Sequence, residues 1–436
     1  MKKKTGRLFD YFMIAVIAIV LTSVSGLCAI EIKSQAKAIC LVDVKTKKVL
    51  FEKNSRRLVY PASTTKIATA AFALHQLGHS DLQELIQAPQ EALAVMPKPH
   101  KKKLDYACKP YLLEPDGTTL NIKKQEKLPI QVLLFGLMMA SANDSANVLA
   151  YHLGHGSIEN FMQEMNRWLQ SIGCRQTRFV NPHGLHHPQH VTTAYEMTVI
   201  AMEAIKNPKF HELVTTPKVI RPRTNKQEAS SFSQPNRLMN EGDYYYPYAR
   251  GIKTGYTEDA GYCLVAMADN GQRALIAAVM GSPTSGLRYA DVIELFNQAF
   301  EERLEQQVLF QHSEARFTHP TLKAEKKVEA GLNQDILYSY YPSLKPVITT
   351  AAEFSEVQLP LKKGTIVGQL AIIVDGERVA EYPMHAIDDY AVGVHLKLWQ
   401  WLCSHRIALA LGFLLLNAGF YWLFQVMKKA FCHLYG

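Results

Sequence analysis

The stretch Pro61-Ala62-Ser63-Thr64-Thr65-Lys66 is the part of the chain from which the fold is most readily deduced. It leads into an alanine-rich run, Thr65 to Leu77, whose composition predicts a helix, and Ser63 is placed to cap the start of that helix. Residues three apart lie on one helical face, so the Lys66 ammonium is expected beside the Ser63 hydroxyl. A serine and a lysine in this relation are a candidate nucleophile and base, provided that burial or a neighbouring cation lowers the lysine pKa.

Alone, the Ser-x-x-Lys spacing is a weak signal, because about one match is expected by chance in a chain of this length. Ser34-Gln35-Ala36-Lys37 is a second match. It lies beside the predicted export signal with no helix behind it, so we treat it as the chance occurrence. Taken by itself, Ser63 is better explained as a plain helix cap, and the catalytic interpretation depends on further motifs.

Predicted strands lie on both sides of a helical region. The order predicts an α+β fold over residues 36–305, in which an antiparallel sheet packs against a helical cluster. Residues 306–395 instead show short alternating strands with turn signals, which predict a small all-β domain. The elements behind the α+β prediction are a hairpin over 38–44 and 49–51, helices within 129–205, strands over 250–254, 262–268 and 274–280, and a helix over 287–305.

Two more motifs carry chemistry. Ser141-Ala142-Asn143 follows an apolar helix and offers a hydroxyl and a carboxamide at a break between helices, although Ser145-Ala146-Asn147 matches the same pattern. Lys253-Thr254-Gly255 lies on a predicted strand, where the glycine would let a substrate backbone approach, the threonine would bind a carboxylate and the lysine would supply a cation. Three such motifs in this order are expected by chance in only about a few per cent of chains.

The two ends of the chain predict export and membrane anchoring. A basic cluster followed by a short apolar run and small residues predicts a signal peptide over residues 1–29. Residues 407–427 lack charged side chains and are long enough to span a bilayer, and residues 396–406 are expected to lie along its surface. Lys428 and Lys429 follow at once, so the C-terminus is predicted in the cytoplasm and the catalytic domain on the extracytoplasmic, periplasmic side of the cytoplasmic membrane.

The composition excludes several classes of protein. Of 436 residues, 48% are apolar and 20% are charged. This is the balance of a folded chain and argues against disorder and against a transporter with many spans. Most of the formal charge of +9 lies at the two termini, each beside an apolar run, so no nucleic-acid partner is expected.

Cysteine and histidine patterns give no prediction of a metal or cofactor. Four widely spaced cysteines fall in the exported part, which argues against zinc and leaves one or two disulfides open without fixing their pairing. The histidines within residues 183–190 favour an exposed structural loop over a zinc site. The basic run 98–103 is expected to be a solvated loop, with contact to an anionic lipid or polymer as the alternative.

The three motifs together carry a family resemblance. Ser63-x-x-Lys66, Ser141-x-Asn143 and Lys253-Thr254-Gly255 resemble the signature set of the penicillin-recognising serine enzymes, whose fold is of the α+β kind predicted above. Their surroundings resemble more narrowly the low-molecular-mass D-alanyl-D-alanine carboxypeptidases, over about residues 36–390. The matching stretches are 61–66, 141–144, Phe179-Val180-Asn181-Pro182-His183-Gly184-Leu185, 251–257 and, in the β domain, 361–383.

The resemblance implies a penicillin-sensitive serine carboxypeptidase that needs no cofactor. It would remove the terminal D-alanine from peptidoglycan stem peptides ending in D-Ala-D-Ala, through an acyl-enzyme, and β-lactams would be its other ligands. Ser63 would attack with Lys66 as base, Ser141 would relay a proton to the leaving amine near Lys253, and Asn143 would bind the substrate amide. The remaining implied contacts are an oxyanion hole from the N–H groups of Ser63 and Tyr256, close approach at Gly255, and binding of the terminal carboxylate by Thr254 and Arg288.

Departures from the family leave alternatives open. Arg250 stands where the family often has an acid, residues 98–109 are unusually basic, and the C-terminal anchor is membrane-spanning and not amphipathic. DD-endopeptidase or transpeptidase activity remains possible. A β-lactamase-like activity would need a Glu-x-x-Leu-Asn motif, whose match at 329–333 falls in the β domain. A non-catalytic wall-binding protein is opposed by the intact pair of Ser63 and Lys66.

Overall fold

The computed structural model describes residues 15–17, 30–319 and 327–434. The chain divides into two units: one holds residues 27–303 with 341–344, and the other holds residues 1–26, 304–340 and 345–436. Of the predicted signal peptide, only Ala15–Ile17 falls in the described part, and it forms a short strand, β1. The rest of that prediction lies outside the described residues.

The first unit is the predicted α+β fold. Its strands are β2 (Ala38–Asp43), β3 (Val49–Lys53), β4 (Leu85–Gln87), β5 (Lys127–Pro129), β6 (Lys218–Arg221), β7 (Ser230–Ser233), β8 (Ala249–Thr257), β9 (Gly261–Asp269) and β10 (Ala274–Ser282). Its helices are α1 (Thr65–Leu77), α2 (Lys98–Lys103), α3 (Ile130–Met138), α4 (Asn143–Leu153), α5 (Ile158–Ser171), α6 (Ala194–Ala204), α7 (Pro208–Thr215) and α8 (Ser285–Glu301).

Five strands form an antiparallel sheet in the order β3-β2-β10-β9-β8. Alternate residues of the central strand β10 enter two different cores: Ile276, Ala278 and Met280 pack with the helical cluster, whereas Leu275 and Val279 pack with α8 on the opposite face. Because successive side chains of a strand point to opposite faces, a sheet covered on both sides is apolar at nearly every position. This explains the uninterrupted apolar sequence of β10.

Helix α1 runs through the middle of the helical core, with eleven of its thirteen residues buried. Its bounds are those predicted, but the expectation that Ser63 caps it is wrong. Thr64 is the capping position and makes no side-chain cap, while Ser63 lies in a 3₁₀ turn, Ala62–Thr64, ahead of the helix. The physical reason is that Ala62 has a left-handed backbone, with φ of 50°, which turns the chain before the helix begins.

Two other expectations are corrected. Helix α8 ends at Glu301, not at 305, because the Glu302 carboxylate accepts hydrogen bonds from Arg273 and Ser343 and the chain then becomes extended. The basic run 98–103 is not a solvated loop: it forms α2, in which the Lys101 ammonium is buried. That ammonium is 3.1 Å from a Glu114 carboxylate oxygen, so a paired charge replaces the expected hydration.

The second unit contains the predicted all-β domain. Six strands pair in the order β1-β15-β16-β17-β13-β12, β11 pairs with β14, and the core of the domain includes Val328, Ile336, Val367, Leu370 and Met384. The strands are β11 (Glu305–Phe310), β12 (Phe317–Thr318), β13 (Glu329–Gly331), β14 (Ile336–Tyr340), β15 (Ile348–Phe354), β16 (Ile366–Val374) and β17 (Glu377–Ala386).

Two helices follow the β domain, α9 (Val394–Ser404) and α10 (Arg406–Leu434). Within α10, Arg406–Lys428 is long and apolar enough to cross a membrane, judged by length and composition, and those of its side chains that the structure describes are not buried against protein. The predicted span over 407–427 falls inside this helix. The predicted surface segment over 396–406 covers most of α9 and the start of α10.

Candidate active site

Ser63 is held by the turn that precedes α1 and by the strand that faces it. The residue is only partly buried, so it is accessible from one side. A Cβ built on Gly255 of β8 would lie 2.9 Å from the Ser63 backbone nitrogen and 3.0 Å from that of Thr64. Gly255 therefore allows β8 to touch the backbone of Ser63. From the sequence, the glycine was instead expected to allow close approach of the substrate backbone.

Lys66 is buried and fully hydrogen-bonded at its amine. The Nζ atom donates to the Ser63 hydroxyl at 3.0 Å, to Asn143 Oδ1 at 2.7 Å and to the backbone oxygen of His183 at 2.6 Å. The residue is 0% exposed. The predicted closeness of the serine and the lysine is present, and the two other acceptors hold the amine beside the Ser63 hydroxyl.

The environment of Lys66 favours its neutral form. Burial lowers its pKa well below the ordinary lysine value, the positive charge of Lys253 lowers it further, and the carboxylate of Asp144 acts in the opposite direction. In the neutral amine two N–H groups remain for the Asn143 and His183 oxygens, and the lone pair is available for the proton of the Ser63 hydroxyl, whereas an ammonium has no lone pair. The chemistry of a general base is therefore available one turn away from the hydroxyl.

The Ser141-Ala142-Asn143 motif lies at the junction of α3 and α4, as predicted. Ser141 has a left-handed backbone, with φ of 55°, and is partly exposed. Asn143 is buried and its backbone N–H donates to the Thr118 oxygen at 2.8 Å. The next residue, Asp144, accepts hydrogen bonds from the backbone of Leu120 and Ile122, which ties the 118–122 segment to this junction.

The second Ser-x-x-Lys match, residues 34–37, and the second Ser-x-Asn match, residues 145–147, make structural contacts. Ser34 donates to Asp291 at 2.6 Å, and the ammonium of Lys37 donates to the backbone oxygen of Asp259, so the two are not partnered with each other. The side-chain amide of Asn147 donates to the backbone oxygens of Ala92 and Tyr111. Treating Ser34 as a chance match is therefore consistent with its contacts.

Lys253 is buried on β8, the last strand in the order of the sheet. Its amine donates to the Thr254 backbone oxygen at 3.0 Å and its side chain is almost inaccessible. Burial lowers the pKa of Lys253 to about 7, and the charge of Arg288 contributes to the decrease. Lys253 also affects the Lys66 amine electrostatically, so the first and third motifs share one electrostatic site.

The sequence analysis named Arg288 and Tyr256, but it did not predict the contacts that these two residues make in the structure. The Arg288 guanidinium donates to the backbone oxygens of Gly255 and Cys263, each at 3.0 Å, and it therefore braces β8 against β9. Its Nε atom is buried and makes no hydrogen bond with a described residue. Tyr256 is 52% exposed and stacks on Tyr262, with ring centroids 4.3 Å apart.

A loop over residues 181–190 completes the site and was not predicted to do so. Besides the His183 oxygen that binds Lys66, it contributes Gly184, whose φ is +90° and where an added Cβ would lie 1.9 Å from the Ala62 oxygen. His190 bonds the Thr65 hydroxyl at 2.8 Å. The only sequence signal for this loop was its place in the family resemblance, since a backbone oxygen has no residue signature.

The histidines of this loop correct one expectation. His183 and His190 are fully buried and do not lie in an exposed loop. Burial lowers the pKa of both rings, to about 3 for His190, so both are neutral. Among the described residues, no group of three or more His, Cys, Asp or Glu side chains is placed to hold a metal ion. Cys40, Cys108, Cys174 and Cys263 are free thiols.

Comparisons with known proteins agree with this geometry. Residues 27–284 match the family model described as D-alanyl-D-alanine carboxypeptidase, and residues 305–391 match the C-terminal domain of penicillin-binding protein 5. A D-alanyl-D-alanine carboxypeptidase of Bacillus subtilis, DacF, is 28% identical over 365 residues, covering 82% of this chain and 87% of the relative.

Solved structures show the same fold. The D-alanyl-D-alanine carboxypeptidase DacD of Francisella tularensis has a TM-score of 0.55 at 23% identity, covering 84% of this chain and 96% of that one. The DD-transpeptidase of Streptomyces K15 has a TM-score of 0.53 at 24% identity, covering 62% and 98%. With the family model matched over more than half of its length, the chain belongs to the D-alanyl-D-alanine carboxypeptidase family, the S11 serine peptidases.

Proposed function

We propose that this serine-type D-Ala-D-Ala carboxypeptidase uses Ser63 as its nucleophile and Lys66 as the base that activates it. The observation that carries this assignment is the buried Lys66 amine, 3.0 Å from the Ser63 hydroxyl and held by two further acceptors. The amine takes the hydroxyl proton as Ser63 Oγ attacks the carbonyl carbon of the penultimate D-alanine.

The remaining steps follow from where charge and protons move. The backbone N–H groups of Ser63 and Tyr256 stabilise the oxyanion that forms. The C–N bond between the two D-alanines breaks, and the leaving amine receives a proton through the Ser141 hydroxyl, with Lys253 nearby. Water then hydrolyses the ester on Ser63, which releases a stem peptide shorter by one D-alanine and regenerates the hydroxyl.

Substrate binding is assigned to β8 and its surroundings. The terminal carboxylate of the peptide is taken by the Thr254 hydroxyl, in a region made electropositive by Arg288, and Asn143 binds the substrate amide. Gly255 keeps β8 within contact of the nucleophile, as the short Cβ distances require. The Asn143 oxygen already accepts from Lys66, so this side chain links the base to the substrate.

Labelling with penicillin tests the assignment of Ser63, because the strained amide of penicillin is expected to be attacked by the same nucleophile as the peptide. Full-length protein is incubated with penicillin, digested and mapped by mass spectrometry, and the adduct is expected on the peptide that contains Ser63. An adduct on another residue would overturn the assignment. Incubation with a D-Ala-D-Ala pentapeptide, with and without an added amine acceptor, then separates release of D-alanine from transfer to the acceptor.

We infer that the protein is anchored in the cytoplasmic membrane by a single C-terminal helix. Arg406–Lys428 has the required length and composition, and Lys428 follows the apolar run directly. By the positive-inside tendency the C-terminus lies in the cytoplasm, and the catalytic domain, residues 36–305, lies on the periplasmic side after export by the segment 1–29. The β domain, residues 306–395, and the surface segment 396–406 connect it to the anchor.

A further inference from the structure

The segment over residues 97–110 is attached to the strand that carries Lys253. Its helix α2 begins at Lys98, whose ammonium is 2.8 Å from a Glu258 carboxylate oxygen and 3.0 Å from one of Asp259. Those two acids directly follow β8, and the first of them stands three residues beyond Gly255. A cation from this segment therefore pairs with the end of the strand that contacts the nucleophile. We call residues 97–110 the clasp.

The clasp is also attached to the loop that holds the base. The Tyr106 ring lies edge-on to both His186 and His187, with centroids 5.5 Å from each. Tyr106 has a left-handed backbone, with φ of 58°, and its N–H donates to the Lys101 oxygen at 2.8 Å. Residues other than glycine rarely adopt that conformation. The surrounding contacts therefore determine where its ring is placed.

His186 is the point at which three elements of the site meet. Its side chain is only 9% exposed, and its ring lies 4.6 Å from the Tyr60 ring, edge-on. Tyr60 stands three residues before Ser63. On the other side, the Nδ1 atom of His186 is 3.8 Å from a carboxylate oxygen of Asp259. One ring thus contacts the chain ahead of the nucleophile, the clasp, and the turn after the Lys253 strand.

We propose that Lys98 and Tyr106 are positioning residues for acylation. Lys98 acts through Glu258 and Asp259 on the end of β8, and Tyr106 acts through His186 on the base-holding loop and on the segment before Ser63. This inference rests on the proposed function, because what is positioned is the Tyr256 N–H relative to the Ser63 N–H. Both donors must meet one developing oxyanion.

Close packing explains how a displacement of the clasp reaches the reacting atoms. Gly255 is already in contact with the Ser63 backbone, so a shift of the strand end changes the geometry of the oxyanion site. A misplacement of about 1 Å costs up to about 100-fold in rate. The Lys98 side chain is partly shielded, at 21% exposure, and it has two acceptors, so its loss is expected to give part of that effect.

The test compares variants of the full-length chain in detergent. Lys98→Met should lower kcat for a D-Ala-D-Ala peptide, and the acylation rate by fluorescent penicillin, by about 10-fold with KM changed less than about 2-fold. Lys98→Arg should restore most of the rate. Lys103→Met is the matched control, because Lys103 is an exposed lysine of the same helix, and it should keep native rates.

Variants of Tyr106 provide a second, independent test of the proposal. Tyr106→Ala removes the ring and should reduce kcat to a similar extent, whereas Tyr106→Phe keeps the ring and should restore it, since the hydroxyl makes no hydrogen bond with a described residue. If Lys98→Met sharply lowers the melting temperature, Asp259→Asn is measured in its place. This variant weakens the pairing of Lys98 with Asp259 and changes no residue of the clasp.

Two results would overturn the proposal. Native kcat and acylation rate in both Lys98→Met and Tyr106→Ala would show that the clasp positions nothing. An increase of KM with unchanged kcat would show that it binds substrate. Failure of the proposed function is separate, since it would appear as loss of the Ser63 adduct in the native protein itself.

Discussion

Gly184 and Ala62 are in such close contact that a Cβ built on Gly184 would lie 1.9 Å from the Ala62 carbonyl oxygen. Gly184 has φ of +90° and Ala62 has φ of 50°, so both residues adopt backbone conformations that most side chains avoid. The loop that holds Lys66 is therefore locked to the turn that presents Ser63. Gly184 is the residue whose replacement tests that lock.

Gly184→Ala is expected to abolish penicillin binding and to lower the melting temperature, because the new methyl group must displace the Ala62 carbonyl. The control is Gly173→Ala, where φ is +97° and nothing lies within 4 Å of the position that the new methyl group would take. The Gly173→Ala variant should lose only the free energy needed for a non-glycine residue to adopt this backbone conformation, about 1 kcal/mol, and should bind penicillin normally. Equal penicillin binding by both variants would contradict the lock.

Lys66→Met removes the amine proposed as the base while keeping much of the side chain. Acylation should fall by about 10² to 10⁴-fold, the range that a positioned base supplies. The melting temperature should change little, because two effects on stability oppose each other. The Asn143 and His183 oxygens lose a hydrogen-bond donor, which destabilises the fold, and the cost of burying an amine is removed. Normal folding with near-native acylation would show that Ser63 is activated by another group, and Lys253 would be the next candidate.

The acylation rate of the native enzyme should rise with pH as Lys66 loses its proton. Burial and Lys253 lower the pKa of Lys66, so the rise should be centred well below the ordinary lysine value. Stopped-flow acylation across a pH series measures it. A midpoint near the ordinary value of about 10.4 would show that the amine is not held as described.

The lowered pKa of Lys253 predicts how stability depends on pH. The folded state releases this proton near pH 7, whereas the unfolded chain keeps it up to about pH 10.4. Between these values the unfolded state binds more protons, so the free energy of unfolding rises with pH, by at most about 1.4 kcal/mol per unit from this group. Lys253→Met should flatten the rise in melting temperature between about pH 7 and 10.

The exposed Lys124→Met variant is the control for that experiment, because its charge is solvated in both states. It should follow the native melting curve at every pH. An unchanged pH dependence in Lys253→Met would mean that Lys253 is not buried as a neutral amine.

Deletion of residues 397–436 should give a soluble exported protein that still binds penicillin, because the helical and sheet cores of the catalytic unit lie within residues 30–303. Fractionation followed by a labelled-penicillin gel measures both properties. A truncated protein that stayed in the membrane after removal of the signal segment would contradict the assignment of Arg406–Lys428 as the anchor.

Sequence reasoning located the elements better than the contacts between them. Helix α1 was predicted from its alanine-rich composition. Strand β10 was predicted within its apolar run, which the structure explains by burial of both faces. The left-handed residues Ala62 and Ser141 gave no signal, since neither residue type favours that conformation. At these two positions the geometry of the site, and not the conformational preference of the residue, determines the backbone conformation.

The candidate site was predicted as a set of side chains. Lys66, Asn143 and Lys253 are brought together by α1, the start of α4 and β8, as their motifs suggested. What the motifs did not specify is backbone chemistry. The His183 oxygen that binds the lysine and the bonds of Arg288 to two strand oxygens both come from tertiary packing, which single-sequence patterns do not record.

The position of β8 at the end of the sheet has a consequence for the solubility of the protein. Among the described strands it pairs only with β9, so no further described strand covers its other edge, which can receive an extended chain. Such an edge also attracts a second copy of the protein, and here two features oppose that pairing. The register with β9 shifts between Ala249 and Ile252, which twists the strand, and Arg250 places a charge beside the shift. The first few residues of β8 therefore disfavour self-association along the strand to which substrate binding is assigned above.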